Sequence, residues 1–569
     1  MRRLVKALAW SVGMQVAAVA SIAAQDVRGT VRESSTNQPI SGAVITLLTA
    51  DGKTLGRNIT DEQGRYRMVA PREAVQLRFV RIGFRPALAK IPHTGAAVDT
   101  VDVLMTTIPT LLDPVTVAAN ACPRRSDAGS ALGLLEQARA SLLNSVVSRD
   151  ANPAALVLIR FQRFMDGMSD RIERQVVKID STSRSKASFA AVRSGSEFVG
   201  AGFVREEAGS RIFYAPDAES LLDEAFIAGY CFRIVKPNAD HPSEVGLGFA
   251  TPGRARDRVD VDGVLWVDTT RRQLRRLEFK YVGLERALDA VGAGGSLSFH
   301  DMPNGVVMID RWSLRLPSIR QDSLYDNRTS RFVQRSWVEA QETGGEVARA
   351  KWKDQSWDAP LSTLRVRAFT HAKKPAVGTR VWLEDTDYTA RTDANGDAVL
   401  GRLIPGPYKL VVIDSLLEPL GITLKTPVKL YAGRDSVYRA TLDVPTANDF
   451  VEDRCRHDGI WKVVPRRRAD AVWMIGRVLG ADDAPLQGVA PTAAQAGRAE
   501  IARDGMFANA VQSTRTGTDG IFEMCPTMFI VGDTARVRIT QDGVPLTDFV
   551  HKLADTLTVL PLIRQTKRP

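Results

Sequence analysis

The sequence is poor in the residues that most often announce chemistry. Its 569 residues include only six histidines and four cysteines. Cys122, Cys231, Cys455 and Cys525 lie far apart, with no C-x-x-C step. That excludes zinc ribbons and fingers built on closely spaced thiolates. His93, His241, His300, His371, His457 and His551 are dispersed. No Gly-x-Ser-x-Gly elbow, His-Glu-x-x-His pair or phosphate-binding Gly-x4-Gly-Lys-Ser/Thr loop occurs. After the first 25 residues no apolar run reaches the roughly 20 residues of a spanning helix, which excludes a polytopic helical membrane protein. Basic charge is not concentrated either. The net charge is +11, yet only Arg466-Arg467-Arg468 forms a run. A nucleic-acid binder would show a basic stripe with interleaved aromatics.

What is present reads as an exported β protein. Arg2, Arg3 and Lys6 precede an apolar stretch at 8–20, and Ser21-Ile22-Ala23-Ala24 offers small residues for cleavage. This is the pattern of a secretory signal over 1–25. An oxidising compartment follows, so the four cysteines are expected as disulfides. The pairs Cys122–Cys231 and Cys455–Cys525 each stay within one region. Composition is that of a folded chain, 44% hydrophobic and 25% charged, with 43 Gly and 28 Pro in short clusters that favour turns.

The strongest signal is an internal repeat. The first copy runs Val27-Arg28-Gly29-Thr30-Val31, then Pro39-Ile40-Ser41-Gly42 before the strand Ala43-Val44-Ile45-Thr46-Leu47, then the turn Thr60-Asp61-Glu62-Gln63-Gly64. The second has Leu364-Arg365-Val366-Arg367-Ala368, Pro375-Ala376-Val377-Gly378 and Thr392-Asp393-Ala394-Asn395-Gly396. The third has Ile475-Gly476-Arg477-Val478, Pro485-Leu486-Gln487-Gly488 and a shortened turn Thr518-Asp519-Gly520, after an insert at 489–512. Alternating strands bury one face, while Asp and Gly build the tight turn. The turn lacks the spaced carboxylates of a calcium loop.

On these residues, the first copy resembles the carboxypeptidase regulatory-like domain, an immunoglobulin-like, transthyretin-like sandwich; Ile82-Gly83-Phe84-Arg85-Pro86 is typical of its bacterial members. Residues 364–412 and 472–540 resemble it more weakly. Leu112-Asp113-Pro114-Val115-Thr116-Val117 is similar to the stretch that joins this module to the plug of TonB-dependent receptors, although neither plug nor barrel follows. The fold is grouped with carbohydrate-binding-like sandwiches, so the resemblance implies glycan binding as a candidate activity.

Between the repeats, residues 130–148 carry Leu132, Leu135, Ala138, Leu142 and Val146 at helical spacing. A short helix is expected over 217–228, followed by antiparallel hairpins, among them 263–281. That hairpin resembles units of periplasmic lipoprotein carriers, in which Trp266, Phe279, Phe299 and Trp312 could line an apolar cavity or fill a core. The zinc carboxypeptidases resemble one another in a His-x-x-Glu pair with a distant His. His241, Glu244 and His371 fit that spacing here, without the α/β body the enzyme needs.

The expectation is therefore mainly β and multi-domain: three immunoglobulin-like or prealbumin-like β-sandwiches flanking an α+β antiparallel middle domain. The expected segments are a signal at 1–25, sandwiches at 26–108, 361–446 and 470–569, a middle domain at 130–355, and linkers at 109–129 and 447–469. The expected role is non-enzymatic binding or scaffolding in a bacterial cell envelope, in the periplasm or at the outer membrane. The partner would be an envelope protein or a glycan, with no cofactor, metal or nucleic acid. The alternatives are a zinc carboxypeptidase-like hydrolase and a periplasmic carrier of an apolar ligand.

Overall fold

The computed structural model describes residues 25–565 apart from 95–97, 109–127, 152, 166–170, 183–192, 238–241, 253–257, 290, 303, 327, 329–330, 353–354, 423, 458–471, 496–510 and 525–528. The signal segment and the receptor-like stretch at 112–117 thus lie outside the described residues. The chain is mainly β and multi-domain, with several β-sandwiches and one mixed region. It divides into two compact units. One holds Met1–Leu156, Ser181–Ala340 and Gly344–Trp357; the other holds Val157–Asp180, Gln341–Thr343 and Asp358–Pro569.

In the first unit, the opening strand Gln25–Glu33 pairs antiparallel with Arg65–Ala70 and parallel with Val98–Thr100 and Val103–Met105. The facing sheet runs Thr54–Ile59, Val44–Leu48, Gln76–Val80, Ala87–Lys90. Val27, Val31, Tyr66 and Met68 from one sheet meet Ile45, Leu47, Leu77 and Phe79 from the other in one core. The alternation in Arg65–Ala70, exposed then buried at every step, is the period of two that puts one face inside.

The second unit repeats this plan twice. Ser362–Thr370 pairs antiparallel with Asp397–Leu403 and parallel with Val437–Val444. Trp473–Leu479 pairs antiparallel with Ile521–Met524 and parallel with Leu557–Val559. The part of the expected insert at 490–495 is a strand, Ala490–Gln495, and Ala493 enters the core.

A buried threonine fixes the same turn in all three copies. Thr60 Oγ accepts from Ala43 N (2.9 Å) and donates to the Ile40 carbonyl (2.6 Å). Thr392 does the same with Thr379 N (2.9 Å) and the Ala376 carbonyl (2.5 Å). In the third copy the residue is Thr516, which accepts from Val489 N (3.0 Å) and donates to the Leu486 carbonyl (2.6 Å). The sequence pattern places this role on Thr518, which is exposed. Gly64, Gly396 and Gly520 follow with φ near +70° to +77°. A Cβ there would meet the carbonyl oxygens of Val31, Ala368 and Val478 within about 2.5 Å, so glycine is required twice over.

The middle region is an antiparallel run: Cys231–Val235, Glu244–Ala250, Asp260–Asp268, Gln273–Val282, Gly294–Asp301 and Val307–Asp326. Its buried face is covered by α1 (Ala128–Ala151) and the short helices α2 (Gly195–Ala201), α3 (Ala218–Leu222) and α4 (Glu224–Gly229). The single helix expected over 217–228 is two, broken at Asp223, whose carboxylate caps α4 by accepting from Ala225 N at 2.8 Å. α1 is buried on two sides. Leu135, Ala138 and Leu142 enter the middle core, while Ala140 and Val147 pack on Val44 and Val80 of the first sandwich.

Two boundaries differ from the sequence reading. Residues 157–180 group with the compact unit that holds the second sandwich. Residues 447–457, expected as linker, form α5 (Ala447–His457), started by a reciprocal cap between Thr446 and Asp449. Ala447 and Val451 of α5 share a core with Leu417, Leu420, Trp473 and Ile475, so the helix is a packed joint between the second and third sandwiches.

Candidate functional site

The residues singled out for zinc are committed elsewhere or not described. His241 lies outside the described residues. Glu244 opens a strand, is buried, and pairs with Arg276. Arg276 also lies over the Trp266 ring at 5.1 Å and bonds Glu278 at 3.0 Å, and Glu278 accepts from Trp266 Nε1 at 2.8 Å. His371 is exposed in the other unit, 3.6 Å from Asp443 and 3.9 Å from Asp449. Among the described residues no group of three or more His, Cys, Asp or Glu is placed to hold a metal ion.

The four aromatics proposed for a cavity divide between the two faces of the sheet. Phe279 and Phe299 fill the middle core, and Trp312 packs against it. Trp266 alternates to the opposite face with Arg276 and Glu278, because Leu265 and Val267 on either side of it point into the core. Cys231 is disulfide-bonded. The side chains of Cys122, Cys455 and Cys525 lie outside the described residues, and both pairings stay proposals.

Within the first unit the sandwich is fastened to α1 by buried polar contacts. Asn144, 1% exposed, donates to the carbonyls of Gly42 (2.6 Å) and Gly305 (3.1 Å) and accepts from Val307 N (2.9 Å). Gln137 accepts from Gly83 N at 2.6 Å. Arg81 pairs with Asp301 at 3.1 Å. Beside this seam lies an open groove of about 510 Å³, lined by Arg57, Arg78 and Val80 of the sheet and Glu136, Arg139 and Leu143 of α1. Arg78 and Glu136 approach only to 3.6 Å and are half exposed, so water screens the pair.

The second unit carries its own groove, of about 580 Å³. The strand Ile172–Thr182 contributes Arg174 and Gln175, and the edge strand Leu424–Ala432 contributes Lys429 and Tyr431. Arg163 orders its base. It donates to Gln175 Oε1 (2.7 Å), Glu342 (2.9 Å) and the Pro405 carbonyl (2.6 Å). At the rim Arg174 bonds Asp385 at 2.7 Å, which holds the Asp385 carboxyl below the usual carboxylate range. Lys409 pairs with Glu384 at 2.9 Å. Sequence reasoning missed this site because its parts are some 250 residues apart in the chain and carry no local motif.

Residues 26–106 match the carboxypeptidase regulatory-like domain. The match covers one sandwich and does not extend to the rest of the chain. No curated protein matches. Among solved structures, the chain is similar to the Bacillus anthracis TIE protein, at 11% identity and TM-score 0.15, over 63% of each chain. It is also similar to the major pilin subunit of Bacillus cereus, at 10% identity and TM-score 0.14, over 74% of this chain and 99% of that one. A third is the shaft pilin of Lactobacillus rhamnosus GG, at 10% identity and TM-score 0.14, over 37% and 99%. The chain thus spans under two thirds of the anthracis protein, and likenesses at these scores carry no argument about its role. No helix among the described residues is long and apolar enough to cross a membrane.

Proposed function

We propose that this chain is an exported, non-enzymatic protein of a bacterial cell envelope that binds or scaffolds, with a protein or a glycan as ligand. The observation that carries the reading is the threefold sandwich plan, with the same buried threonine at Thr60, Thr392 and Thr516. A module repeated along one chain, with open grooves beside it, suits holding and presenting better than turnover. The commitment of Glu244 to Arg276 supports the same reading, because a zinc ligand or general base needs its carboxylate available. The proposal includes removal of residues 1–25, disulfides Cys122–Cys231 and Cys455–Cys525, and residence in the periplasm or at the outer membrane.

The test is co-sedimentation of residues 26–569 with purified sacculi and with outer-membrane vesicles. Saturable binding to either fraction is expected. Absence of binding to both would contradict an envelope-binding role.

A further inference from the structure

The third sandwich ends one of its sheets on an open edge. The strand Thr534–Gln541 pairs on one side with Ala490–Gln495 and on the other with Val544–Lys552. Among the described residues no strand lies beyond Val544–Lys552. This edge strand has nine residues, and its Val550 is 60% exposed. The corresponding edge of the first sandwich, Ala87–Lys90, has only four. A long edge offers another strand a row of main-chain donors and acceptors.

The pairing already made shows which groups are on offer. Leu553 N donates to the Asp533 carbonyl at 2.9 Å, and the Leu553 carbonyl accepts from Gly532 N at 2.8 Å. Main-chain groups turn to alternate sides along an antiparallel strand. His551, Phe549 and Thr547 therefore face Thr534–Gln541, and Lys552, Val550 and Asp548 turn their N–H and C=O groups outward. The same three residues are the exposed ones in this stretch, while Phe549 packs against the core.

That outward row is complementary to itself. An antiparallel second copy, with the two-fold axis at Val550, sets Val550 opposite Val550 and each Asp548 opposite the other copy's Lys552. Every one of these pairs has outward main-chain groups, so each exchanges both of its hydrogen bonds. Moving the axis by two residues sets Asp548 against Asp548 or Lys552 against Lys552, which like-charge repulsion disfavours. Asp548 already holds Arg536 at 2.8 Å and Arg538 at 3.0 Å, both from the strand behind it. Lys552 has no ion pair among the described residues and would approach Asp548 from the open side. At an exposed edge such pairs set register more than affinity.

We infer that the chain forms a symmetric dimer, in which the Val544–Lys552 edges of two copies join about Val550 and make one continuous sheet. The partner is a second copy of this chain, and the contact is isologous, the commonest form of homodimer.

The test is sedimentation equilibrium of residues 26–569 from about 5 to 300 µM, where a reversible dimer with a Kd of about 10–200 µM is expected. Val550→Pro removes an outward N–H that the fold does not use. The variant should keep its circular dichroism and Tm, and dimerise about tenfold more weakly or worse. Lys552→Glu and Asp548→Lys each set like charges opposite one another, and each should weaken the dimer about tenfold. Mixed together, these two variants set unlike charges opposite in both pairs, and should associate to within about threefold of wild type. A chain that stays monomeric at about 300 µM overturns the inference, and would leave the edge to a strand of a different envelope protein. A dimer unchanged by Val550→Pro, or a mixture no more associated than its parts, also overturns it.

Discussion

Asn144, in the middle of α1, donates a 2.6 Å hydrogen bond to the carbonyl of Gly42, in the turn before the second strand of the first sandwich. The two residues lie 102 positions apart, and the contact is buried. Gly42 has φ +70°, and a Cβ there would meet the Gly305 carbonyl at 2.3 Å. One amide thus ties the sandwich, the helix and the middle sheet together. Asn144→Ala leaves two buried carbonyls and the Val307 amide without this partner. A loss of about 2–4 kcal/mol is expected in chemical denaturation of the full chain. A change below about 0.5 kcal/mol would show that the seam is not held there.

The third copy offers a paired test of the threonine lock. Thr516→Val removes a buried hydroxyl that bridges the Val489 amide and the Leu486 carbonyl, and should cost about 1–3 kcal/mol. Thr518→Val, two residues on and exposed, should stay within about 0.5 kcal/mol. Equal effects would return the turn to the register suggested by sequence.

These two positions show what local sequence can carry. Pro39, Gly42, Asp61 and Gly64 act over a few residues, so the repeat and its turn chemistry were legible. Asp61 Oδ1 indeed accepts from Gln63 N (3.0 Å) and Arg65 N (2.8 Å). The sequence pattern misplaces the third turn by two residues because Gly517 stands in place of the Asp that follows the threonine in the other copies, while a second Thr-Asp pair, Thr518-Asp519, lies just beyond it. α1 was read as one apolar stripe, since Ala140 and Val147 match a second partner that only the tertiary structure supplies. Residues 157–180 could not be assigned locally. Val177 bonds the Asp385 carbonyl at 3.0 Å, a pairing across more than 200 residues. The groove of Gln175 and Tyr431 was illegible for the same reason.

The helix in the expected linker makes a further prediction. Val451 of α5 is fully buried against Leu417 and Trp473. Val451→Ala should cost about 2 kcal/mol by leaving a cavity. A residue in a solvated linker would show a change below about 0.5 kcal/mol. Denaturation of the wild type and this variant by urea distinguishes the two.

Asp310 gives the expected pH dependence. It is 8% exposed, and its Oδ1 has no hydrogen-bond partner among the described residues. Burial raises its pKa above the ordinary aspartate value; Arg311, 3.7 Å away, opposes this in part, and Glu346 adds to it. The folded state thus holds this proton more tightly than the unfolded chain. The resulting stability is present below the unfolded pKa and is lost as pH rises through the folded one. Asp310→Asn should therefore raise Tm relative to wild type at about pH 7, and the difference should shrink towards about pH 4. A lower Tm for the variant at neutral pH would contradict the sign.

The measurement closest to the central claim is native mass spectrometry of the protein, expressed with residues 1–25 in a bacterial host, purified from the periplasm without chelator and incubated with zinc. A parallel assay would follow hydrolysis of C-terminally unblocked peptides. A chain that acts by binding should have the mass of residues 26–569 less four hydrogens, retain no stoichiometric metal and leave the peptides intact. One zinc per chain, with hydrolysis abolished by Glu244→Gln, would contradict the account and return His241, Glu244 and His371 to the centre of the molecule's chemistry.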